Sequence, residues 1–142
     1  MLYVDTSVVV AAVTNEAATG RAQAWLAAPP AGELLVSDWV TTEVSSALSI
    51  KTRSGQLTVR DRNRALEAFN SMSDRSLVVV AVTRADALVA ARFADRHDIG
   101  IRAGDALHLA IALRVGAALH TLDHRLAETA GQVGVEGRLI SV

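Results

Sequence analysis

Four acidic residues stand where a carboxylate could take part in chemistry. Asp5 follows a short apolar stretch, Glu43 borders an apolar stripe with helical spacing, and Asp105 and Asp123 stand where helices are expected to begin. Carboxylates brought together repel one another unless cations are bound. Oxygen-rich clusters suit magnesium or manganese, and such ions activate water and stabilise the leaving oxygen in phosphodiester cleavage. If the fold gathers the four acids, they predict a divalent-cation site.

Two of these acids also fit a purely structural role as helix caps. Asp5 and Asp123 each follow a predicted strand and precede a predicted helix, where an acidic N-cap is common. Thr6 or Ser7 could cap the first helix equally well, which would leave Asp5 free for another task. The sequence alone leaves both interpretations open.

The other two acids are harder to explain by local structure. Glu43 shares the rim of an apolar helical stripe, where a carboxylate tends to lose water, unless it merely borders the stripe and reaches solvent. Asp105 could favour the dipole of its helix. However, no Lys or Arg follows Asp105 before Arg114, so His108, three residues on, is its only local partner.

The histidines and basic residues give weaker signals. His120 and His124 have metal-ligand spacing but straddle a strand end, so they indicate zinc only weakly. His108 is better interpreted as a hydrogen-bond donor behind the acids or as a residue packed on the sheet. A basic group could contact phosphates, or could be a solvated helix face, because acids interleave with it: Lys51, Arg53, Arg60, Arg62 and Arg64.

Apolar periodicity predicts strands that alternate with helices. The predicted strands cover residues 2–5, 33–37, 77–82, 117–122 and 139–142. The predicted helices cover residues 6–14, 17–28, 38–53, 58–72 and 84–97, the segment from 104 onward, and 123–130. The continuous apolar run 77–82 is typical of a central parallel strand. This alternation predicts a parallel sheet with helices on both faces, whose sites gather at the carboxyl ends of the strands.

Composition excludes several classes of protein. With 142 residues and 51% hydrophobic content, the chain suits one folded domain and not a disordered segment. The absence of cysteine excludes disulfides and thiolate chemistry and suits a reducing cytoplasm. We find no targeting segment and no apolar run of membrane-spanning length, and therefore expect a cytoplasmic protein. The net charge of −1 argues mildly against nucleic-acid binding, although bound cations would offset it.

With these residues identified, the chain resembles the PIN-domain family, and specifically the VapC-type toxins of bacterial toxin–antitoxin pairs. The family's opening strand followed by Asp-Thr/Ser-Ser is similar to residues 2–7, and its helix start leading to a Glu is similar to residues 37–44. The most specific match is the stretch Ile-Arg-Ala-Gly-Asp-Ala-Leu-His-Leu-Ala at 101–110. Thr121-Leu122-Asp123 fits the family's final Thr-x-Asp. The resemblance covers nearly the whole chain and is weakest over 55–80.

The resemblance implies a three-layer α/β/α fold, formed here as a single domain over residues 1–142. It implies endonucleolytic cleavage of RNA that depends on Mg²⁺ or Mn²⁺, with a cation-activated water as nucleophile. It also implies a cognate VapB-type antitoxin and a homodimer. Asp5 and Asp105 would bind the metal directly, and Glu43 and Asp123 would complete the acidic pocket. Three further residues would orient water or substrate: Thr6, Thr121 and Arg102.

Competing interpretations fit less well. A phosphatase of the haloacid-dehalogenase type would need an acid two residues after Asp5, where Ser7 stands. A receiver-like signalling domain usually has a late Lys at its pocket, and this chain has no Lys after Lys51. A catalytically weak PIN fold that only binds is the remaining alternative, and the presence of all four acids argues against it.

Overall fold

The computed structural model describes residues 1–141, which contain a five-stranded parallel sheet with helices on both faces. The strands are β1 (Leu2–Val4), β2 (Leu34–Ser37), β3 (Val78–Val80), β4 (Ala118–Thr121) and β5 (Gly137–Leu139). The helices are α1 (Thr6–Val13), α2 (Thr19–Ala27), α3 (Asp38–Arg53), α4 (Val59–Arg75), α5 (Arg84–Asp95), α6 (Ala103–Val115) and α7 (His124–Gln132). The predicted alternation of strands and helices is confirmed.

Two hydrophobic cores, one on each face of the sheet, define the three layers. Side chains alternate between the faces along each strand. Val4 and Val36 pack with α1 to α4 in one core, whereas Tyr3 and Leu35 pack with α6 and α7 in the other. Helix α5 packs on α6 through Ala90 and Ala110. The predicted α/β/α sandwich is therefore confirmed.

The strand order β3-β2-β1-β4-β5 creates a crevice between β1 and β4. From β1 the chain adds β2 and β3 on one side, and it then crosses to the other side to form β4 and β5. Ligands of open parallel sheets bind outside the carboxyl ends of the strands where the order reverses. Asp5 directly follows β1, and Thr121 ends β4, so both lie at this reversal.

The predicted position of the third strand is wrong. The run 77–82 was expected to be a central strand, but β3 covers only Val78–Val80 and forms one edge of the sheet. Val78 and Val79 are 38% and 43% exposed. An apolar run indicates a strand but does not reveal its neighbours, because strand order depends on the direction of the crossovers and not on local pattern.

The last strand is also displaced from its predicted position. It was expected over 139–142, whereas β5 covers Gly137–Leu139 and pairs with β4. Gly137 explains the displacement: a Cβ there would lie 2.3 Å from the carbonyl oxygen of Ala127 in α7. Strand β5 therefore begins at a glycine, whose lack of a side chain lets the strand approach α7. An apolar pattern cannot reveal such a position. Residue 142 lies outside the described residues.

The helix bounds follow capping chemistry. Helix α1 forms despite its β-branched residues, because Asp5 caps it. Helix α3 begins at Asp38 and ends at Arg53, as predicted. Helix α4 continues to Arg75, about one turn beyond the prediction, and opens with a capping box between Thr58 and Asp61. None of the helices described in residues 1–141 is long and apolar enough to cross a membrane.

Candidate active site

Asp5 combines a structural role with a position in the crevice. Its Oδ2 accepts hydrogen bonds from the Ser7 hydroxyl (2.6 Å), the Thr121 hydroxyl (2.8 Å) and the Ser7 amide (3.4 Å). The sequence allowed Asp5, Thr6 or Ser7 to be the N-cap of α1. In the structure Asp5 is the cap, because its extended backbone lets the carboxylate reach the second amide of the helix. Its Oδ1 lies 3.5 Å from His108 Nε2 and faces the other acids.

Glu43 is tied to α1 and α6 through one carboxylate oxygen. Its Oε1 accepts a hydrogen bond from the Thr6 hydroxyl (2.7 Å) and another from His108 Nε2. Because an ionised carboxylate only accepts, Nε2 of His108 must carry a proton. The predicted placement of Glu43 on the rim of the α3 stripe is confirmed, since it is half-buried beside Val40 and Val44.

His108 lies at the centre of the site. Burial acts to lower the pKa of His108, but the hydrogen bond to Glu43 and the charges of Asp5, Glu43 and Asp105 together raise it. Burial acts to raise the pKa of Glu43, and the hydrogen bonds from His108 and Thr6, with the charge of His108, bring it below its usual value. In its protonated form, His108 would therefore neutralise part of the acidic cluster from within.

Two buried hydroxyls hold His108 from behind. The Tyr3 hydroxyl lies 2.8 Å from His108 Nδ1 and 2.9 Å from Ser37 Oγ, and all three residues are completely buried. Burial raises the pKa of Tyr3, so its hydroxyl stays protonated. A hydroxyl can either accept from or donate to a ring nitrogen, so this contact orients the imidazole in either protonation state.

Asp105 is the acid whose charge is least compensated. It lies in the first turn of α6, and no hydrogen bond to its carboxylate is found within residues 1–141. Burial raises the pKa of Asp105, and the charges of Asp5, Asp123 and Glu43 raise it further, against the lowering effect of His108. A half-buried carboxylate in this setting would gain from a bound cation.

Asp123 and Arg102 lie at the outer rim of the site. Asp123 is exposed, and its Oδ1 caps α7 by accepting from the amides of Arg125 (2.9 Å) and Leu126 (3.3 Å). Arg102 is exposed and precedes α6, with no side-chain cap bond. Both line a cleft together with Asp105. Asp123 therefore caps α7 in the structure, which is one of the two roles that the sequence left open for it.

Thr6 and Thr121 orient acids in this structure. The Thr6 hydroxyl donates to Glu43, and the Thr121 hydroxyl donates to Asp5. Thr121 Oγ1 also accepts from the Asp123 amide at 2.9 Å, which links the end of β4 to the start of α7. The two threonines, expected to orient water or phosphate, here fix the carboxylates of Asp5 and Glu43 instead.

Gly104 lets α6 approach the acids closely. A Cβ at Gly104 would lie 3.1 Å from Glu43 Oε2 and 3.5 Å from Trp39 Nε1. The free oxygen of Glu43 and the indole of Trp39 thus meet at the start of α6. Trp39 Nε1 is buried and has no hydrogen-bond partner among the residues that the structure describes.

The acids suit a hard divalent cation in chemistry, but they are not preassembled around one. Mg²⁺ and Mn²⁺ prefer carboxylate oxygens as ligands, and Asp105 has a half-buried carboxylate surrounded by other acids. Within residues 1–141, however, no three carboxylate or imidazole groups stand close enough together to hold an ion as they are. A cation bound here would therefore need water molecules among its ligands, as is usual for Mg²⁺, or a side chain that turns toward it.

His120 and His124 are the two histidines whose spacing gave a weak zinc signal. The ring of His120 packs against Trp25, with the ring centroids 4.9 Å apart.

The basic group on α3 and α4 lies away from the acids. Lys51 forms an ion pair of 3.6 Å with Glu16, which follows the C-terminal end of α1, and Arg64 lines a groove with Val13 and Thr14 at that same end. Asp5 caps the opposite end of α1. At 1.5 Å per residue, this eight-residue helix separates the two groups by about 12 Å.

Sequence reasoning missed the residues that support the site. Tyr3 and Ser37 were assigned to buried strands, and their hydroxyls meet His108 only because β1, β2 and α6 adjoin. Trp39 and Arg125 carried no local signal either. The one available hint was that Tyr3 is a strand residue with a polar group, and such a group usually finds a partner when it is buried.

Comparison with known proteins identifies the family. The sequence matches the PIN domain over residues 2–132. Among solved structures, VapC20 of Mycobacterium tuberculosis, described as a toxin that cleaves the sarcin-ricin loop, is 23% identical, with a TM-score of 0.70 over 90% of this chain and 94% of that one. FitAcB of Neisseria gonorrhoeae is 19% identical, with a TM-score of 0.71 over 99% and 97% of the two chains.

A third similar structure is VapBC2 of Rickettsia felis bound to a promoter DNA fragment. It is 16% identical, with a TM-score of 0.68 over 99% of this chain and all 100% of that one. No curated protein sequence matches this chain significantly. The likeness to solved structures agrees with the sheet order and layers described above. The match over residues 2–132 then settles the family: the chain belongs to the PIN-domain family.

Proposed function

We propose that this protein is a divalent-cation-dependent endoribonuclease. The observation that carries the proposal is the convergence of Asp5, Glu43 and Asp105 where the strand order of a PIN-family sheet reverses. Asp105 is the key member, because burial and neighbouring charges raise its pKa and no residue among 1–141 donates a hydrogen bond to its carboxylate. Such a group is ready to bind a cation.

Each acid has a distinct role in the proposed reaction. Asp105 and the free Oδ1 of Asp5 would bind Mg²⁺ or Mn²⁺ directly, and Glu43 and Asp123 would complete the pocket. When bound, the cation activates water and stabilises the charge that develops on the phosphoryl oxygens. Thr6 and Thr121 hold the carboxylates of Glu43 and Asp5 in place. His108 orients Glu43 and limits the repulsion within the cluster.

We further propose that the protein is the toxin of a toxin–antitoxin pair and acts on RNA. The support comes from similar structures: one is described as a toxin that cleaves the sarcin-ricin loop, one as a toxin–antitoxin complex, and one as VapBC2 bound to a promoter DNA fragment. The proposed partner is a VapB-type antitoxin, and the proposed assembly is a homodimer. The place of action would be the cytoplasm.

The receiver-like alternative is disfavoured by topology. Receiver-like domains have the strand order 2-1-3-4-5, whereas this sheet has the order β3-β2-β1-β4-β5. A PIN fold that binds RNA without cutting it differs from the proposal only in activity. The cleavage experiment below separates the two.

The decisive experiment compares the wild type with Asp105→Asn. Asn keeps the shape of the side chain and removes the charge, and Asp105 can be changed with less harm than Asp5, which accepts three hydrogen bonds. RNA oligonucleotides and a generic phosphatase substrate are each incubated with Mn²⁺ or with a chelator. We expect Mn²⁺-dependent RNA cleavage by the wild type and none by Asp105→Asn. The matched control is Asp98→Asn, since Asp98 is exposed and paired with Arg96.

Melting temperatures provide a second measurement that does not depend on activity. Mn²⁺ should raise the melting temperature of the wild type, because a ligand of the folded state stabilises it by about 2.7 kcal/mol at a hundredfold excess over Kd. Asp105→Asn should show a smaller rise, and Asp98→Asn the full rise. Wild-type cleavage rates in a folded Asp105→Asn protein, or equal melting shifts in all three, would refute the proposed site.

The toxin assignment is tested in cells. Expression of the protein alone should arrest growth, and co-expression of the adjacent small gene should restore it. Asp105→Asn should be tolerated at equal protein levels. Normal growth with abundant folded wild type would refute the toxin assignment and leave the nuclease chemistry standing. Light scattering of the purified protein tests the homodimer.

A further inference from the structure

A cleft continues from Asp105 toward the start of α7. It is narrow and opens to solvent. Its walls combine two acids with two arginines and the backbone that precedes α6: Gly100, Ile101, Arg102, Asp105, Asp123 and Arg125. The cleft therefore places positive charge directly beside the proposed cation site.

Neither arginine of the cleft is neutralised by a carboxylate. Three arginines form ion pairs within residues 1–141: Arg96 with Asp98, Arg114 with Asp86 and Arg138 with Glu136. Within residues 1–141, Arg102 and Arg125 have no such partner. Arg125 lies two positions after Asp123, yet the Oδ1 of that acid accepts from backbone amides instead. Both guanidinium groups are thus available to an anion.

The guanidinium of Arg125 is held in position by the backbone. Its Nη2 donates to the Gly100 carbonyl at 3.0 Å. Gly100 has a φ of +68°, which side chains rarely adopt, and a Cβ there would lie 3.1 Å from the same Nη2. A glycine at this position therefore provides both the turn and the space that the arginine needs.

We propose that this cleft binds a phosphate of the RNA backbone adjacent to the cleaved one. The inference rests on the proposed ribonuclease function. Guanidinium groups bind phosphates through paired, charge-assisted hydrogen bonds, and Arg102 and Arg125 approach the same space. Lys51 and Arg64 of the basic group on α3 and α4 lie at the opposite end of α1 from Asp5, whereas the two arginines of the cleft lie beside Asp105. RNA therefore crosses the site over the α6–α7 side.

Binding to RNA that is not cut tests this placement. A fluorescein-labelled, single-stranded RNA of mixed sequence is titrated with Asp5→Asn protein across a salt series with Mg²⁺ present. Asp5 does not line the cleft, and the amide oxygen of Asn can still accept the hydrogen bonds that cap α1. Adding Arg125→Gln or Arg102→Gln should each weaken binding about tenfold, as expected for lost hydrogen bonds to a charged group. Each should also flatten the log–log salt dependence by about 0.7 to 1. Arg75→Gln is the matched control, because this exposed arginine ends α4, away from the carboxyl ends of the strands.

Two further variants separate charge from geometry. Arg125→Lys keeps the charge and loses the planar fork, so it should retain the salt slope and lose part of the affinity. Gly100→Ala changes no charge but displaces the Arg125 guanidinium, so it should weaken RNA binding without changing the salt slope as Arg125→Gln does. Circular dichroism confirms that Gly100→Ala is folded, and a variant that does not fold leaves the arginine variants to decide.

The outcomes distinguish this inference from the proposed function. If the wild type cuts RNA but the cleft variants bind like Arg75→Gln, the inference is overturned and the function stands. If the wild type does not cut RNA while binding still depends on Arg125, the function fails and the cleft remains an RNA-binding site. A matched DNA bound as tightly, with the same dependence on Arg125, would overturn the assignment to RNA.

Discussion

The contact of the Tyr3 hydroxyl with His108 makes a quantitative prediction. Tyr3→Phe keeps the ring that packs in the core and removes only the hydroxyl, which leaves His108 Nδ1 and Ser37 Oγ buried without this partner. Each buried polar group left unsatisfied costs about 1–3 kcal/mol. Because both groups are completely buried, we expect Tyr3→Phe to lower the free energy of unfolding by about 3 kcal/mol.

Ser37→Ala provides the internal comparison. It removes one hydrogen bond and leaves the contact between Tyr3 and His108 in place, so we expect a loss of about 1 kcal/mol. The double variant should lose less than Tyr3→Phe alone, because it no longer leaves the Ser37 hydroxyl buried without a partner. Urea denaturation followed by far-UV circular dichroism measures all three free energies.

The same variants test whether the hydroxyl also serves the acids. Hydrogen-bond partners behind a metal site affect metal affinity by about 10–100-fold when they are removed. Tyr3→Phe should therefore weaken Mn²⁺ binding in calorimetry. Leu35→Val, which loses one buried methylene in the same core at a cost of about 1 kcal/mol, should not. If the free energy of unfolding of Tyr3→Phe lies within about 0.5 kcal/mol of the wild-type value, the hydrogen-bond argument is refuted. Wild-type Mn²⁺ affinity in Tyr3→Phe would refute the positioning role.

Three further predictions concern charge. Asp86→Ala should cost about 2–3 kcal/mol, because the buried carboxylate caps α5 and binds Arg114 at 2.7 and 3.0 Å. Asp61→Ala, in the exposed capping box of α4, should cost about 1 kcal/mol, and equal losses in urea titrations would contradict this account. Burial lowers the pKa of His120 in the folded state, so the unfolded chain binds this proton more readily and stability should fall as the pH drops through the unfolded pKa of about 6.5. His120→Phe should not show this loss of stability at low pH. The raised pKa of His108 affects stability in the opposite direction, but equally in the wild type and in His120→Phe. Stability–pH curves that run parallel for the two proteins would contradict the prediction for His120. Mn²⁺ binding should release protons when the pH is low enough for Asp105 to be partly protonated, because burial and neighbouring acids raise its pKa and a bound cation favours the ionised carboxylate. Calorimetry at such a pH in two buffers of different ionisation enthalpy should detect the release. Identical apparent enthalpies in the two buffers would contradict it.

Local chemistry determined most of the elements and the acids that matter. Strand and helix types follow from apolar periodicity, and α3 covers its predicted range, although Ser37 and not Asp38 occupies its N-cap position. Because Asp5 and Asp123 each follow a predicted strand, a parallel sheet was enough to predict that both acids lie at the carboxyl edge of the sheet. The placement of Glu43 on the rim of its stripe also followed from helical spacing alone. These features depend on residues within about one turn or one strand of each other.

Tertiary structure alone decided which groups became partners. The order of the strands made β3 an edge and set β1 beside β4. Tyr3 and His108, 105 positions apart, meet only because α6 packs on the face of the sheet where Tyr3 points. Arg125 reaches Gly100, 25 positions away, because a glycine leaves room for it. Local patterns fix the torsions and exposed faces of short segments, but contacts between distant segments depend on crossover direction and packing, and no short stretch of sequence contains that information.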